Sequence, residues 1–278
     1  MSDERSEHGS HAAGPHRVTV AVEEGVADVR LNRAEKLNAL DTAMFQALIE
    51  TGSELASDRS LRAVVLSGEG RGFCAGLDVG SFGAMAKGNG ANLLDRPEGH
   101  GATHAQLAAH VWRELPVPVI AAVHGVAFGG GLQIALAADI RIVAPDARLS
   151  VMEIKWGLIP DMTGSQTLRR LVRLDVAKDL TFTGRIVSGR EAVELGMATR
   201  VSEDPRLDAL SMARDIAGRS PDAIRAGKHL LDQSALVDLD AGLRLEAELQ
   251  AELIGSSNQV ETVKANLENR RPNFHDPE

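Results

Sequence analysis

The stretch VPVIAAVHGVAFGGGLQIALAADI, residues 117–140, is the most apolar of the chain and constrains its fold more than any other. It is too interrupted to cross a bilayer as a helix, because His124, Gln133, Asp139 and a glycine cluster fall inside it. It divides instead at its glycines. VPVIAAVHG (117–125) reads as a buried strand, and GGG (129–131) opens an apolar helix, LQIALAAD. A strand feeding a helix through a glycine turn is the repeating unit of an α/β protein.

The same alternation runs through the first 200 residues. RVTVAV (17–22) and VADVRLN (26–32) alternate with period two across Glu23-Glu24-Gly25, which predicts a β-hairpin. Leu40, Met44, Leu48 and Ile49 share one side of a helix that Asp41 can cap. LRAVVLSGE (61–69) predicts a buried strand, 80–103 a glycine-rich mobile loop, and 104–114 a helix. DIRIVAP (139–145) and ARLSV (147–151) predict short strands. After Val201 the pattern becomes helical, with helices expected over 205–219, 221–234 and 239–268. The expected organisation is a disordered tail over 1–16, an α/β core over 17–202, and a helical region over 203–278.

Composition removes several function classes. Lys plus Arg is 30 and Asp plus Glu is 39, so the formal charge is 30 − 39 = −9, which argues against nucleic-acid and anionic-membrane partners. Two Trp, six Phe and no Tyr leave little for a base-stacking surface. Cys74 is the single cysteine, which excludes an intrachain disulfide and a Cys-rich zinc site. The polar N-terminus lacks an apolar signal region, so a cytoplasmic protein is expected.

Phosphate-loop, nucleophile-elbow and HExxH motifs are absent. Gly70-Arg71-Gly72-Phe73-Cys74-Ala75 follows a strand but is not followed by the long apolar helix a dinucleotide site needs. Two glycine turns are more informative: Cys74-Ala75-Gly76-Leu77-Asp78 and Phe128-Gly129-Gly130-Gly131-Leu132. Each could aim an unpaired backbone N–H at a developing oxyanion, or could merely allow close helix–strand packing. Glu153 could belong to a Ser150-x-x-Glu153 capping box, yet Gly157 and Pro160 leave no room for a long helix there. Asp161 is either a helix N-cap or a functional acid, and Gln133 either a satisfied buried amide or a side chain aimed at substrate. His100, His104 and His110 lie in or beside the loop without an acidic partner at metal-ligand spacing, and no metal is expected. Cys74, between Phe73 and Ala75, reads as a small buried hydrophobe.

Six segments together resemble the crotonase, or enoyl-CoA hydratase/isomerase, superfamily: LNRAEKLNAL (31–40), VVLSGEGRGFCAGLDV (64–79), VIAAVHGVAFGGGLQIALAADIRI (119–142), EIKWGLIPDMTGSQTLRRL (153–171), FTGRIVSGREAVELGMATRV (182–201) and ETVKANLENRRPNF (261–274). The resemblance implies a spiral of ββα units with a C-terminal helical region that mediates trimers, often paired into hexamers. It implies an acyl-CoA substrate whose thioester oxygen lies between the N–H groups of Leu77 and Gly130. It makes Glu153 the acid–base residue, and Lys36, Leu37, Ala75 and Asp78 part of the CoA site. No cofactor beyond the substrate's own CoA is implied.

One departure from the family pattern directs the expected chemistry. Hydratases of this family carry a glutamate where the chain has Gln133, and an amide cannot transfer a proton as a carboxylate can. Asp161 aligns with an acid used by dienoyl-CoA isomerase-type members, although those also carry an aspartate at the Gln133 position. Single-acid chemistry is therefore expected: isomerisation of an enoyl-CoA double bond by Glu153, with Asp161 as a proton partner and Gln133 orienting substrate or water. Enoyl-CoA hydration is the alternative; thioester hydrolysis and CoA binding without catalysis are the others.

Overall fold

The computed structural model describes residues 16–78, Gly80 and 93–277. Almost all of the expected tail and the first half of the expected loop lie outside those residues. The chain opens with β1 (Val18–Glu23) and β2 (Val26–Leu31), an antiparallel pair. Glu24 and Gly25 both take positive φ (49° and 77°), the geometry of a tight hairpin turn. A short 3-10 turn (Ala34–Lys36) leads to α1 (Thr42–Ser57), whose first turn is capped by Asp41 accepting from Met44 N at 2.8 Å.

Next come β3 (Ala63–Gly68), α2 (His104–Glu114), β4 (Val119–Val123), β5 (Val126–Phe128), α3 (Gly130–Ala137), β6 (Ile140–Val143) and β7 (Arg148–Ser150). A second 3-10 turn (Met152–Trp156) precedes α4 (Gly164–Leu171), α5 (Leu174–Thr183), β8 (Val187–Ser188), α6 (Gly189–Glu194) and β9 (Arg200–Val201). The main sheet has the order β1-β2-β3-β4-β6-β9, parallel from β2 onward. A smaller sheet joins β5, β7 and β8.

Period-two alternation splits the main sheet between two cores. Val64 and Leu66 face the larger one with Leu40, Met44, Phe45, Leu48 and Trp112, while Ala63 and Val65 face the other. There α7 (Pro205–Ala217) seats Ala209 and Ala213 against Val26, Ile120 and Ile142. Burial on both faces explains why β3 and β4 read as unbroken apolar runs.

The C-terminal region continues with α8 (Pro221–Ser234), α9 (Leu239–Leu253) and α10 (Ser257–Leu267). The single helix expected over 239–268 is thus two. Gly255 takes φ 81°, and Ser256 accepts from Gln259 N, so the sequence stops one helix and caps the next within three residues. β5 was also not expected. It is three residues long, and its apolar side chains merge with those of β4 in the sequence. Among the described residues no helix is long and apolar enough to cross a membrane.

Candidate active site

The two glycine turns lie side by side. Cys74 N donates to Val126 O and Phe128 N donates to Cys74 O, both at 3.0 Å, so the first turn is laced to β5. On its other flank Ala75 N donates to Leu37 O, Leu40 N to Gly76 O, and Asp78 N to Leu40 O. Gly76 has φ 85°, and a Cβ there would sit 2.6 Å from Phe128 O and 3.7 Å from Gly130 N. Only glycine permits that approach, and it brings the first turn against the start of α3.

These bonds account for the N–H groups around Leu77 but not for its own, which has no acceptor among the described residues. Gly130 N opens α3, where no earlier carbonyl can serve it, and it likewise has no acceptor among the described residues. Asn38 holds the assembly together. Its buried amide donates to Glu69 O and Gly72 O at 2.9 Å and accepts from Arg33 N. Asn38 is a functional residue not expected above, although a polar side chain inside the apolar run LNAL is a visible signal.

The side chains of the site approach from the other side of the second turn. Glu153 lies in the 3-10 turn after β7 and is 8% exposed. Its position excludes the capping-box role, since Ser150 Oγ donates to Gly184 O and Val151 is the cap residue. Gly129 (φ 51°, ψ −122°) lets the carboxylate rest on the turn, where a Cβ would stand 3.3 Å from Glu153 Oε1. Gln133, 2% exposed on α3, donates from Nε2 to Glu153 Oε1 at 2.5 Å. Its Oε1 accepts from Met162 N at 2.8 Å and Gly164 N at 2.9 Å. Those two donors fix which end of the amide faces Glu153. Glu153 Oε2 stays buried without a partner among the described residues.

Burial raises the pKa of Glu153; its backbone and Gln133 hydrogen bonds offset part of the rise, and the nearby Asp161 charge adds to it. Asp161 is exposed at the rim, yet the concavity around its carboxyl strips enough water to raise its pKa also. It does not cap α4, whose cap residue is Thr163. Asp78 is held by Arg33 at 2.5 Å and by Gly80 N at 2.8 Å, so its carboxylate is already occupied. Lys36 is exposed beside Leu37. Cys74 is fully buried and its thiol is pushed up to about 12, which disables it as a nucleophile. Among the described residues no group of His, Cys, Asp or Glu could hold a metal ion.

Comparison with known proteins places this architecture. The enoyl-CoA hydratase/isomerase family model matches residues 21–277. The chain is 33% identical over 265 residues to human enoyl-CoA hydratase domain-containing protein 2, mitochondrial, covering 93% of this chain and 88% of that protein. It is 32% identical over 262 residues to the short-chain-enoyl-CoA hydratase of Clostridium acetobutylicum, covering 92% and 96%. The crystal structure of enoyl-CoA hydratase from Bacillus anthracis superposes with a TM-score of 0.84 at 29% identity, over 94% of this chain and all of that one. The chain is therefore a member of the enoyl-CoA hydratase/isomerase family, an acyl-CoA enzyme on the α/β crotonase fold.

Proposed function

We propose that the enzyme moves the double bond of an enoyl-CoA. In a 3-enoyl thioester, Glu153 Oε2 takes a proton from C2. The electron pair spreads toward the thioester oxygen, which the N–H groups of Leu77 and Gly130 receive. The proton then returns at C4, leaving a 2-enoyl thioester. One observation carries this reading: Glu153 Oε2 is the only carboxylate oxygen among the described residues that is buried without a partner. The neighbouring position that could have supplied a second acid is an amide committed at both ends. Asp161 serves as a secondary proton station at the rim. Lys36, Leu37, Ala75 and Asp78 border the CoA path, with CoA arriving as part of the substrate and no separate cofactor required.

Hydration is the second reading, supported by the names of the relatives. Incubation with crotonyl-CoA and a 3-enoyl-CoA, followed by mass spectrometry, separates them. Isomerisation leaves the mass unchanged and moves the double bond, whereas hydration adds one water. Water addition to crotonyl-CoA without any conversion of the 3-enoyl thioester would overturn the isomerase assignment. We further propose a cytoplasmic homotrimer or homohexamer. Exposed Leu231, Leu239, Leu243, Ile254, Val260 and Leu267 on the C-terminal helices support an assembly, which sedimentation would test.

A further inference from the structure

Beyond Asp161 the site opens into a cavity of about 430 Å³ between the segment leading into α2 and the start of α4. A pocket for an alkyl chain is walled by apolar side chains with few polar groups. This one is mixed: His100, His110, Asp161, Ser165 and Gln166 share its wall with Leu107, Pro160 and Ala102. Two further observations mark the wall as built for a ligand. Thr163, a β-branched residue, takes φ 70°, a left-handed conformation it rarely adopts. Its Oγ1 is buried without a hydrogen-bond partner among the described residues. A methylene chain lying here would desolvate the exposed polar groups of Asp161, Ser165 and Gln166 and return no hydrogen bond.

We propose that the acyl group carries a hydroxyl that reaches this cavity, so the preferred substrates are hydroxylated acyl-CoA thioesters rather than plain alkyl ones. The inference rests on the acyl-CoA reading of the same site and names the class of acyl chain. The charge of the wall selects a hydroxyl over a carboxylate. Asp161 lies in it, and Glu114 contributes a second carboxylate, paired with His110 Nε2 at 3.2 Å. His110 thus has an acidic partner one helical turn on, contrary to the expectation from the sequence. A hydroxyl can donate to such acceptors; an acyl carboxylate would be repelled by them.

Binding of saturated thioesters tests this apart from catalysis, since they cannot isomerise. Titration calorimetry with hexanoyl-CoA, ω-hydroxyhexanoyl-CoA and adipoyl-CoA should rank the hydroxylated ligand first, about tenfold tighter than hexanoyl-CoA. Ser165 and Gln166 are exposed, so Ser165→Ala with Gln166→Leu should fold normally and bring the hydroxyl and alkyl affinities within about twofold. Equal or tighter binding of hexanoyl-CoA, tightest binding of adipoyl-CoA, or a preference untouched by the double variant would each overturn the proposal. If hexanoyl-CoA and its hydroxylated analogue rank as expected but no enoyl-CoA is turned over, the isomerase reading fails and the acyl-chain inference stands. If none of the three binds, both fail.

Discussion

The two halves of the site are built from different material. The half around Leu77 and Gly130 is backbone, held by hydrogen bonds accepted by Leu37 and Val126 and donated by Leu40 and Phe128, and independent of any titrating side chain. The half around Glu153 is side chain, and its behaviour depends on who donates to whom: Met162 and Gly164 to Gln133, Gln133 to Glu153. The first can be broken only by moving the chain. The second can be retuned by changing one atom. A backbone cradle costs no reorganisation as charge develops, while a carboxylate that takes and returns a proton must be adjustable. Substitutions on either side should therefore fail in different ways.

The largest effect should come from Glu153→Gln. It removes the only buried carboxylate oxygen among the described residues that has no partner, and kcat should fall ~1,000-fold with KM little changed. The same variant should be more stable than the parent at neutral pH. A carboxyl whose folded pKa is raised loses stability as pH climbs from the unfolded pKa through the folded one, and Gln abolishes that loss. Thermal melts at acidic and neutral pH check the sign: the gain should appear at neutral pH and vanish in acid. Retained turnover would remove Glu153 from the chemistry.

On the backbone side, Gly76→Ala puts a Cβ 2.6 Å from Phe128 O at a φ of 85°. The turn must shift, costing ~1–3 kcal/mol of stability. If the N–H of Leu77 is displaced with it, kcat/KM should drop ~100-fold. Its pH profile should keep the parent shape, because no group that titrates has been touched. A profile displaced along the pH axis would mean the two halves are coupled.

Gln133→Met then strikes the side-chain half without removing a carboxylate. Turnover should fall ~50-fold through misplacement of Glu153. The acid limb of the kcat/KM profile, where Glu153 must be ionised, should move to higher pH, because one interaction that lowers its pKa is gone. A loss of rate with an unmoved limb would reduce Gln133 to packing. Gln133→Glu, retaining both backbone donors, should instead introduce a second acid, with hydration of crotonyl-CoA as the gain to look for.

How legible all this was in the sequence differs between the halves in the same way. The turns could be located as glycine clusters after apolar strands, but an oxyanion role rose above simple close packing only with the family resemblance; the hairpin and α1 followed from their periods, and β3 and β4 from their apolar runs. The lock on Glu153 could not. Gln133 is joined to Met162 and Gly164 across some thirty positions, and the decisive partners are backbone N–H groups that every sequence carries. Asn38 differs: its partners are likewise backbone groups, but a polar residue inside the apolar run LNAL was a local signal. The break of the last helix at Gly255 was available in principle: a glycine followed by a serine cap is a local signal, but the amphipathic pattern on either side hid it.

The smallest effect, and the sharpest, belongs to Asp161. As a rim acid it handles protons only part of the time, so Asp161→Asn should cost ~10-fold in kcat. Its charge raises the pKa of Glu153, whereas Gln133 lowers it. Removing Asp161 must then move the acid limb to lower pH, opposite to Gln133→Met. Two variants with losses of similar kind should thus displace one titration in contrary directions, which damage to the fold would not do. The double variant should return the limb toward its parental place. If Asp161→Asn leaves the limb where it was, or pushes it upward, the two carboxyl groups do not sense each other, and the side-chain half reduces to Glu153 with its amide.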